Sequence, residues 1–273
     1  MQPISIIIPC LNEEFYIDKL LGALAKQTFR NFEVIVIDGK SEDKTVEVIE
    51  RFRSHLPALR CEVSPKRNVI FQRNYGVTFA KHELLLFLDA DTQMKPHFLE
   101  KTIAEIEKRH LDLATINFKP LSTRADDALL CVLGNIYMEI MQVIQAVGMG
   151  WCIFSHKKYH AKLNGFDLNA ELSEDFDYTS RAVKLGAKIR VLHSDVIYIS
   201  VRRLEKEGRF NFAKTALMLE VNRISQRKAL KKLPTYEFGN FKEDGEALKF
   251  SGQEQLNAYA KLKRLFDSGD DDK

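Results

Sequence analysis

The chain is poor in the features that mark several large classes of protein. It has 4 cysteines in 273 residues, Cys10, Cys61, Cys131 and Cys152, too widely spread to form a CxxC pair. That excludes a zinc knuckle, gives no disulfide framework, and makes a reduced, cytoplasmic setting the expectation. The opening run ISIIIP has no basic stretch before it and no small-residue cleavage site after it, so no secretory leader is expected. Neither sign of charge dominates: 41 Lys and Arg stand against 38 Asp and Glu, a net +3, too little for a chain committed to nucleic acid. The longest apolar stretch, Leu129 to Trp151, is broken by Asn135, Glu139, Gln142 and Gln145, whereas a membrane-spanning helix needs about 20 predominantly apolar residues. It reads as a buried or interfacial helix. Glycine-rich phosphate loops are missing too, with no GxGxxG after the first strand and no GxxxxGK[ST] anywhere, so a bound phosphate would need another source of positive charge.

What is present is a chain of 45% hydrophobic residues, and a soluble chain of this length buries about 75% of its unfolded surface. Through the first 120 residues short apolar runs alternate with longer amphipathic ones, the pattern of an α/β sheet. Strands are expected at Ile4 to Ile8, Glu33 to Ile37, Arg60 to Val63, Leu84 to Leu88 and Leu113 to Asn117. Helices are expected at Phe15 to Lys26, Asp43 to Phe52 and Ile70 to Ala80, each with one apolar face. The second half offers a long helix from Ala125 to Val147, a strand near Trp151 to Ser155, a helix from Ser173 to Leu185 capped by Ser173, and strands at Lys188 to Leu192 and Val196 to Val201. From Arg202 to Lys232 ten basic residues face three acidic ones, and beyond Leu233 the chain turns polar, ending in DSGDDDK. The expected organisation is a domain over 1–201 with halves at 1–118 and 119–201, a basic helical extension over 202–233, and a polar tail over 234–273.

In an open parallel sheet, ligands bind beyond the carboxyl ends of the strands. Three of those ends are acidic here: PCLNEE (Pro9 to Glu14), DGKSED (Asp38 to Asp43) and DADTQ (Asp89 to Gln93). Asp89 and Asp91, two residues apart, can turn toward one cation, and hard oxygen ligands of this kind suit Mg²⁺ or Mn²⁺ completed by water and a substrate diphosphate. A lone DxD is more often a pair of solvated aspartates. The apolar strand LLLFL running into it, and two further acidic rims on the same sheet, favour a site. A second cluster puts Glu174, Asp175 and Asp177 in the first turn of a helix, where the dipole favours one or two carboxylates. Three exceed what capping needs, and a carboxylate held there can serve as general base to an acceptor hydroxyl.

In combination, these segments resemble a known family. PISIIIPCLNEEFYIDKLLGALAKQTFRNFEVIVIDGKSEDKT is similar to the opening of family 2 glycosyltransferases, which have the GT-A fold and invert configuration. The likeness continues through QRNYGVTFAKHELLLFLDADTQMKP, NGFD and SEDFDYTSRAVKLGAKI, and spans roughly Pro3 to Val201. It implies a metal-dependent transfer of one sugar, a hexose, from a nucleoside-diphosphate sugar, UDP-linked first and GDP-linked second, to a glycan or lipid-linked acceptor, with no nucleic-acid partner. By the same resemblance Pro9, Asn12, Glu13, Asp38 and Arg73 contact the nucleotide, and Ala90 is the spacer between Asp89 and Asp91, which meet the ribose and a Mn²⁺ or Mg²⁺ ion. Asp175 is the base, and His193 stands where some relatives place a further metal ligand. Two departures stand out: Asp38 is followed by Gly39 and Lys40 where many relatives have a second aspartate, and the QxxRW signature of processive synthases is absent. The basic segment, RRLEKEGRF onward, suits a diphosphate, an anionic membrane surface on the cytoplasmic side, or water alone. Rival expectations are a polyprenyl-phosphate sugar synthase, a nucleotidyltransferase, disfavoured because its Gly-rich loop is missing, and a non-catalytic nucleotide-sugar-binding module.

Overall fold

Strands β1 (Ile4–Cys10), β2 (Phe32–Asp38) and β4 (Leu84–Leu88) are almost continuously apolar and wholly buried, the pattern of strands covered on both faces. They are seen in a computed structural model that describes residues 1–144, 150–170 and 174–215. With β3 (Leu59–Val63), β5 (Thr92–Gln93), β6 (Leu113–Pro120), β7 (Cys152–His156) and β8 (Ile189–Ile199) they build one sheet in the order β3-β2-β1-β4-β7-β6-β8-β5. The β3-β2-β1-β4 block is parallel, as is β6 with β8, while β7 runs antiparallel to both its neighbours. This is the mostly parallel, helix-flanked α/β sheet that the sequence pattern predicts. β5 follows β4 directly in the chain yet pairs with β8 at the far end of the order. The sheet therefore curls, and residues 89–91 are the link across the curl.

Side chains alternate across each strand with period two, and the two faces form separate cores. Ile4, Ile6 and Ile8 pack with α1 (Glu14–Ala25), α2 (Thr45–Arg51), α4 (Phe98–Arg109) and α5 (Ala125–Ile144) through Leu20, Ile49, Ile103 and Met138. Ile7, Ile35 and Phe87 pack with α3 (Val69–Val77), α6 (Lys157–Leu163) and α7 (Glu174–Lys184) through Val77, Tyr159 and Tyr178. α3 lies unusually close to the sheet: a Cβ on Gly76 would fall 2.5 Å from Ile7 Cγ2. That approach drives the middle of α3, and Arg73 with it, to the carboxyl edge of β1 and β4.

The structure differs from the sequence expectation in a few elements. The two strands expected at 188–192 and 196–201 are one strand, β8, with a register shift that pairs Ile116 with Leu192 but Phe118 with Ile197. The polar His193-Ser194-Asp195 left between the two expected strands is the irregular part of this single strand. α4, α6 and β5 are additions to the expected set. Past the sheet, α8 (Arg202–Glu207) and a helical stretch at 209–215 follow. The end of the Ala125 to Val147 helix, the Ser173 cap, most of the 202–233 extension and all of the 234–273 tail lie outside the described residues. No described helix is long and apolar enough to cross a membrane.

Candidate active site

The loops after β1 and β2 are stitched into one rim. Asn12 takes a left-handed backbone, φ 56°, its N–H donates to Ser41 Oγ at 2.9 Å, and its Oδ1 accepts from Glu42 N–H at 2.8 Å. Glu13 N–H donates to Thr45 Oγ1 at 2.8 Å. Asp38 ends β2 and is buried, accepting from Lys40 N–H at 2.9 Å, Ser41 N–H at 3.0 Å and the Ser41 hydroxyl at 2.5 Å. Its oxygens hold their own turn, in which Lys40 is left-handed with φ 67°. Pro9 is a buried strand residue opposite Ile37.

Beyond β4, alternation puts Ala90 into the core and leaves Asp89 and Asp91 partly exposed. The link is fixed by its backbone, since Asp89 N–H donates to Trp151 C=O and Thr92 N–H and Oγ1 donate to Asp89 C=O. Arg202, from α8, closes this side. Its Nη1 and Nη2 meet Glu13 at 2.8 and 2.6 Å, its Nε lies 3.2 Å from Asp91 Oδ2, and its guanidinium sits 4.6 Å from the Tyr16 ring centre. Burial still pushes the Glu13 carboxyl up to about 7, against the pull of Arg202.

The first turn of α7 reaches the same edge. Asp175 Oδ2 accepts from Gly150 N–H at 2.8 Å and Oδ1 from Phe176 N–H at 2.7 Å. Its neighbours divide the remaining work: Glu174 pairs with Arg73 at 2.7 Å, and Asp177 with Arg181 at 2.7 Å, whose other nitrogens bind the carbonyls of Leu163 and Gly165. Asp177 is thus a tie between α7 and the turn after α6. Burial, with the Glu174 charge beside it, pushes the Asp175 carboxyl up to about 7. Asp89 is pushed up to about 6, chiefly by burial and by Asp91, against the Arg73 guanidinium 2.8 Å away.

The structure therefore gathers Asn12, Glu13, Arg73, Asp89, Asp91 and Asp175 at one edge, with Asp38 beneath it. His193 is not gathered there. Leu192 faces Ile116 and Ile199 faces Pro120, four residues of β6 apart, or about 13 Å along a strand, while β5, just past Asp91, pairs at Ile199. His193 instead lies 3.5 Å from Glu139, and its N–H donates to Glu105. Among the described residues, no group of three or more His, Cys, Asp or Glu is arranged to hold a metal. Two contributors had no sequence signal of their own: Gly150, whose Gly-Met-Gly run matches no phosphate or turn motif, and the specific role of Arg202 within a run of basic residues.

A family model described as glycosyl transferase family 2 matches residues 5–124. That stretch holds β1, β2, β4, Arg73 and the Asp89–Asp91 link. This stretch, a little under half of the chain, carries the family 2 pattern. The family 2 stretch also carries the sequence likeness to poly(ribitol-phosphate) beta-N-acetylglucosaminyltransferase TarS of Staphylococcus aureus (strain Mu50 / ATCC 700699), 33% identical over 127 residues, which are 45% of this chain and 22% of TarS. The matched region is thus well under two thirds of that relative. A crystal structure of S. aureus TarS 1-349 in complex with UDP superposes with a TM-score of 0.60 at 26% identity, over 73% of this chain and 60% of that one. Mannosyltransferase PcManGT from Pyrobaculum calidifontis, in complex with GDP-Man and Mn²⁺, gives a TM-score of 0.60 at 19% identity, over 73% and 57%, a likeness of fold alone. The fold is that of the GT-A glycosyltransferases.

Proposed function

We propose that this chain is an inverting glycosyltransferase that moves one sugar from a nucleoside-diphosphate sugar to an acceptor hydroxyl, with Asp175 as general base. The observation that carries this reading is the placement of Asp175. It is held by two backbone N–H groups and raised to about 7, on the same edge as the Asp89–Asp91 link of a family 2 fold. A base poised near the working pH combines a useful ionised fraction with enough basicity to take a proton.

The residues fit a cation held in part by substrate. Asp89 has one oxygen committed to Arg73 and Asp91 one near Arg202, which leaves two oxygens and no protein cage, the usual provision for Mg²⁺ or Mn²⁺ bound through a diphosphate. Such an ion would supply positive charge for the departing diphosphate. The chain's own part is to hold donor and acceptor in line. The joined loops around Asn12 and Ser41 form one wall for the nucleotide, and Asp175 takes the acceptor proton as its oxygen attacks the anomeric carbon from the opposite side. A UDP-linked donor is favoured over a GDP-linked one by the likeness to a TarS structure that holds UDP.

The test is a panel of UDP-GlcNAc, UDP-glucose, UDP-galactose and GDP-mannose with Mn²⁺ or Mg²⁺, scored by thermal shift and by slow donor hydrolysis. A UDP-sugar is expected to raise the melting temperature and be hydrolysed only with metal. If no nucleotide sugar binds, the reading fails; if one binds without any turnover under transfer conditions, the chain is a binding module. A second reading concerns the acceptor. α5 exposes Leu129, Leu133, Ile136, Ile140 and Val143, spaced by four and three residues along one helix face, and Phe210 is exposed near its first turn, where Arg209 binds Asp127. An apolar stripe with basic residues beside it suits a lipid surface, and so a lipid-linked or polyprenyl-phosphate acceptor. Flotation with vesicles containing anionic lipid checks this, and no recovery with the vesicles counts against it.

A further inference from the structure

One guanidinium joins the two acidic regions of the site. Arg73 Nη1 donates to Glu174 Oε1 at 2.7 Å, while Nη2 donates to Asp89 Oδ1 at 2.8 Å and to Gly150 C=O at 2.9 Å. The side chain is 2% exposed and lies 5.6 Å from the Phe166 ring centre. Its Nε is buried with no partner, so the orientation is set by the two terminal nitrogens. The Gly150 residue whose carbonyl Arg73 holds also donates its N–H to Asp175. A continuous chain of hydrogen bonds therefore runs from Asp89, through Arg73 and Gly150, to Asp175. Both terminal nitrogens end on protein, and burial leaves no face for a nucleotide.

We propose that Arg73 is a positioning residue that locks Asp89 on the donor side and Asp175 on the acceptor side into one rigid unit, in place of the direct nucleotide contact implied by the family resemblance. This rests on the transferase reading above. The rigid fork suits the task, because arginine can meet two carboxylates and a carbonyl in fixed directions where lysine offers a single flexible point charge.

The test uses the full chain, UDP with Mn²⁺ as the binding probe, and the panel nucleotide sugar that the wild type hydrolyses. Arg73→Lys is expected to keep UDP affinity within about threefold while kcat falls about 100-fold, the cost of an ångström-scale misplacement. In the double variant with Asp175→Asn, kcat should fall by clearly less than the product of the two single losses, because the Gly150 arm of Arg73 acts through that base and only the Asp89 arm is left to add to it. Gly150→Ala reaches the same contact without touching a charge, since its Cβ would lie 3.2 Å from Arg73 Nη2. It should show the same split between binding and turnover, and it carries the test if Arg73→Lys does not fold. Loss of UDP affinity by more than about tenfold with kcat retained would make Arg73 a nucleotide ligand and overturn the proposal. So would multiplicative losses in the double variant, or wild-type turnover by Gly150→Ala. A wild-type chain that binds neither UDP nor any panel sugar would remove the transferase reading itself, and this inference with it.

Discussion

Asp175 sets the expected pH behaviour of the site. Its carboxyl is raised to about 7, so the carboxylate proposed as the base loses its charge as pH falls through that value, and on that proposal kcat should drop about tenfold per pH unit below it. Asp175→Asn should lower kcat by about 100-fold or more while leaving UDP affinity nearly unchanged; a fully active purified variant would remove the base assignment. The same group has a stability signature of opposite sense. A carboxyl raised from 3.8 to about 7 binds its proton in the folded state while the unfolded chain has already lost it, so between those values stability falls as pH rises. The melting temperature of Asp175→Asn relative to wild type should therefore move in the variant's favour from pH 4 to pH 8. Asp89, Asp91 and Asp175 were legible in the sequence because each stands just past an apolar strand or at a helix start, where a short pattern has a structural address. The Glu13–Arg202 pair was not, because 189 residues separate its members and neither one's neighbours mark the other. Asp38 was legible as a strand-end carboxylate, but its burial and its bonds to residues 40 and 41 depend on a turn that a residue pattern does not specify.

Among the elements, α3 does the most to place chemistry, because it approaches β1 closely enough to bury an arginine. Gly76 permits this. A methyl there would meet Ile7 Cγ2 at 2.5 Å and Ile37 Cγ1 at 3.1 Å, both in a packed core with no flexible end to move aside. Gly76→Ala should cost about 1–3 kcal/mol by overpacking, lowering the melting temperature by roughly 2–4 °C per kcal/mol. It should also depress kcat by displacing Arg73, which calorimetry and steady-state kinetics on the same preparation would check; an unchanged melting temperature would show that α3 can shift freely. The inner strands β1, β2 and β4 were the most legible elements, since short, almost continuous apolar runs bounded by polar loops admit few alternatives. α4 was harder to see, because charged residues crowd its outer face and only Phe98, Leu99, Thr102, Ile103 and Ile106 are buried. β8 was read as two strands because its polar residues coincide with a register shift, a feature of pairing with β6 that β8's own sequence does not carry.

At the scale of the whole molecule, the even balance of charge conceals long-range neutralisation. The described part of the basic C-terminal segment does not stand apart from the sheet. Arg202 binds Glu13 and Asp91, Arg209 binds the fully buried Asp127 at 2.7 and 3.0 Å, and Leu204 is buried between them. Removing one partner of such a pair leaves a buried carboxylate uncompensated, at about 3–5 kcal/mol. A chain ending at Val201 should therefore melt well below one ending at Thr215, although all eight strands are present in both. The pH dependence separates the Glu13 contribution from simple loss of packing. With Arg202 in place the Glu13 carboxyl lies at about 7, so at pH 8 it is ionised and paired. In Arg202→Met the opposing charge is gone and the value climbs further, so at pH 8 the folded chain must either hold a proton the solvent does not readily supply or carry an unpaired charge. At pH 6 both chains hold Glu13 largely protonated, and most of the difference disappears. The deficit in melting temperature should be large at pH 8 and small at pH 6; an equal deficit at both would mean that Arg202 acts by packing against Tyr16 rather than by neutralising Glu13.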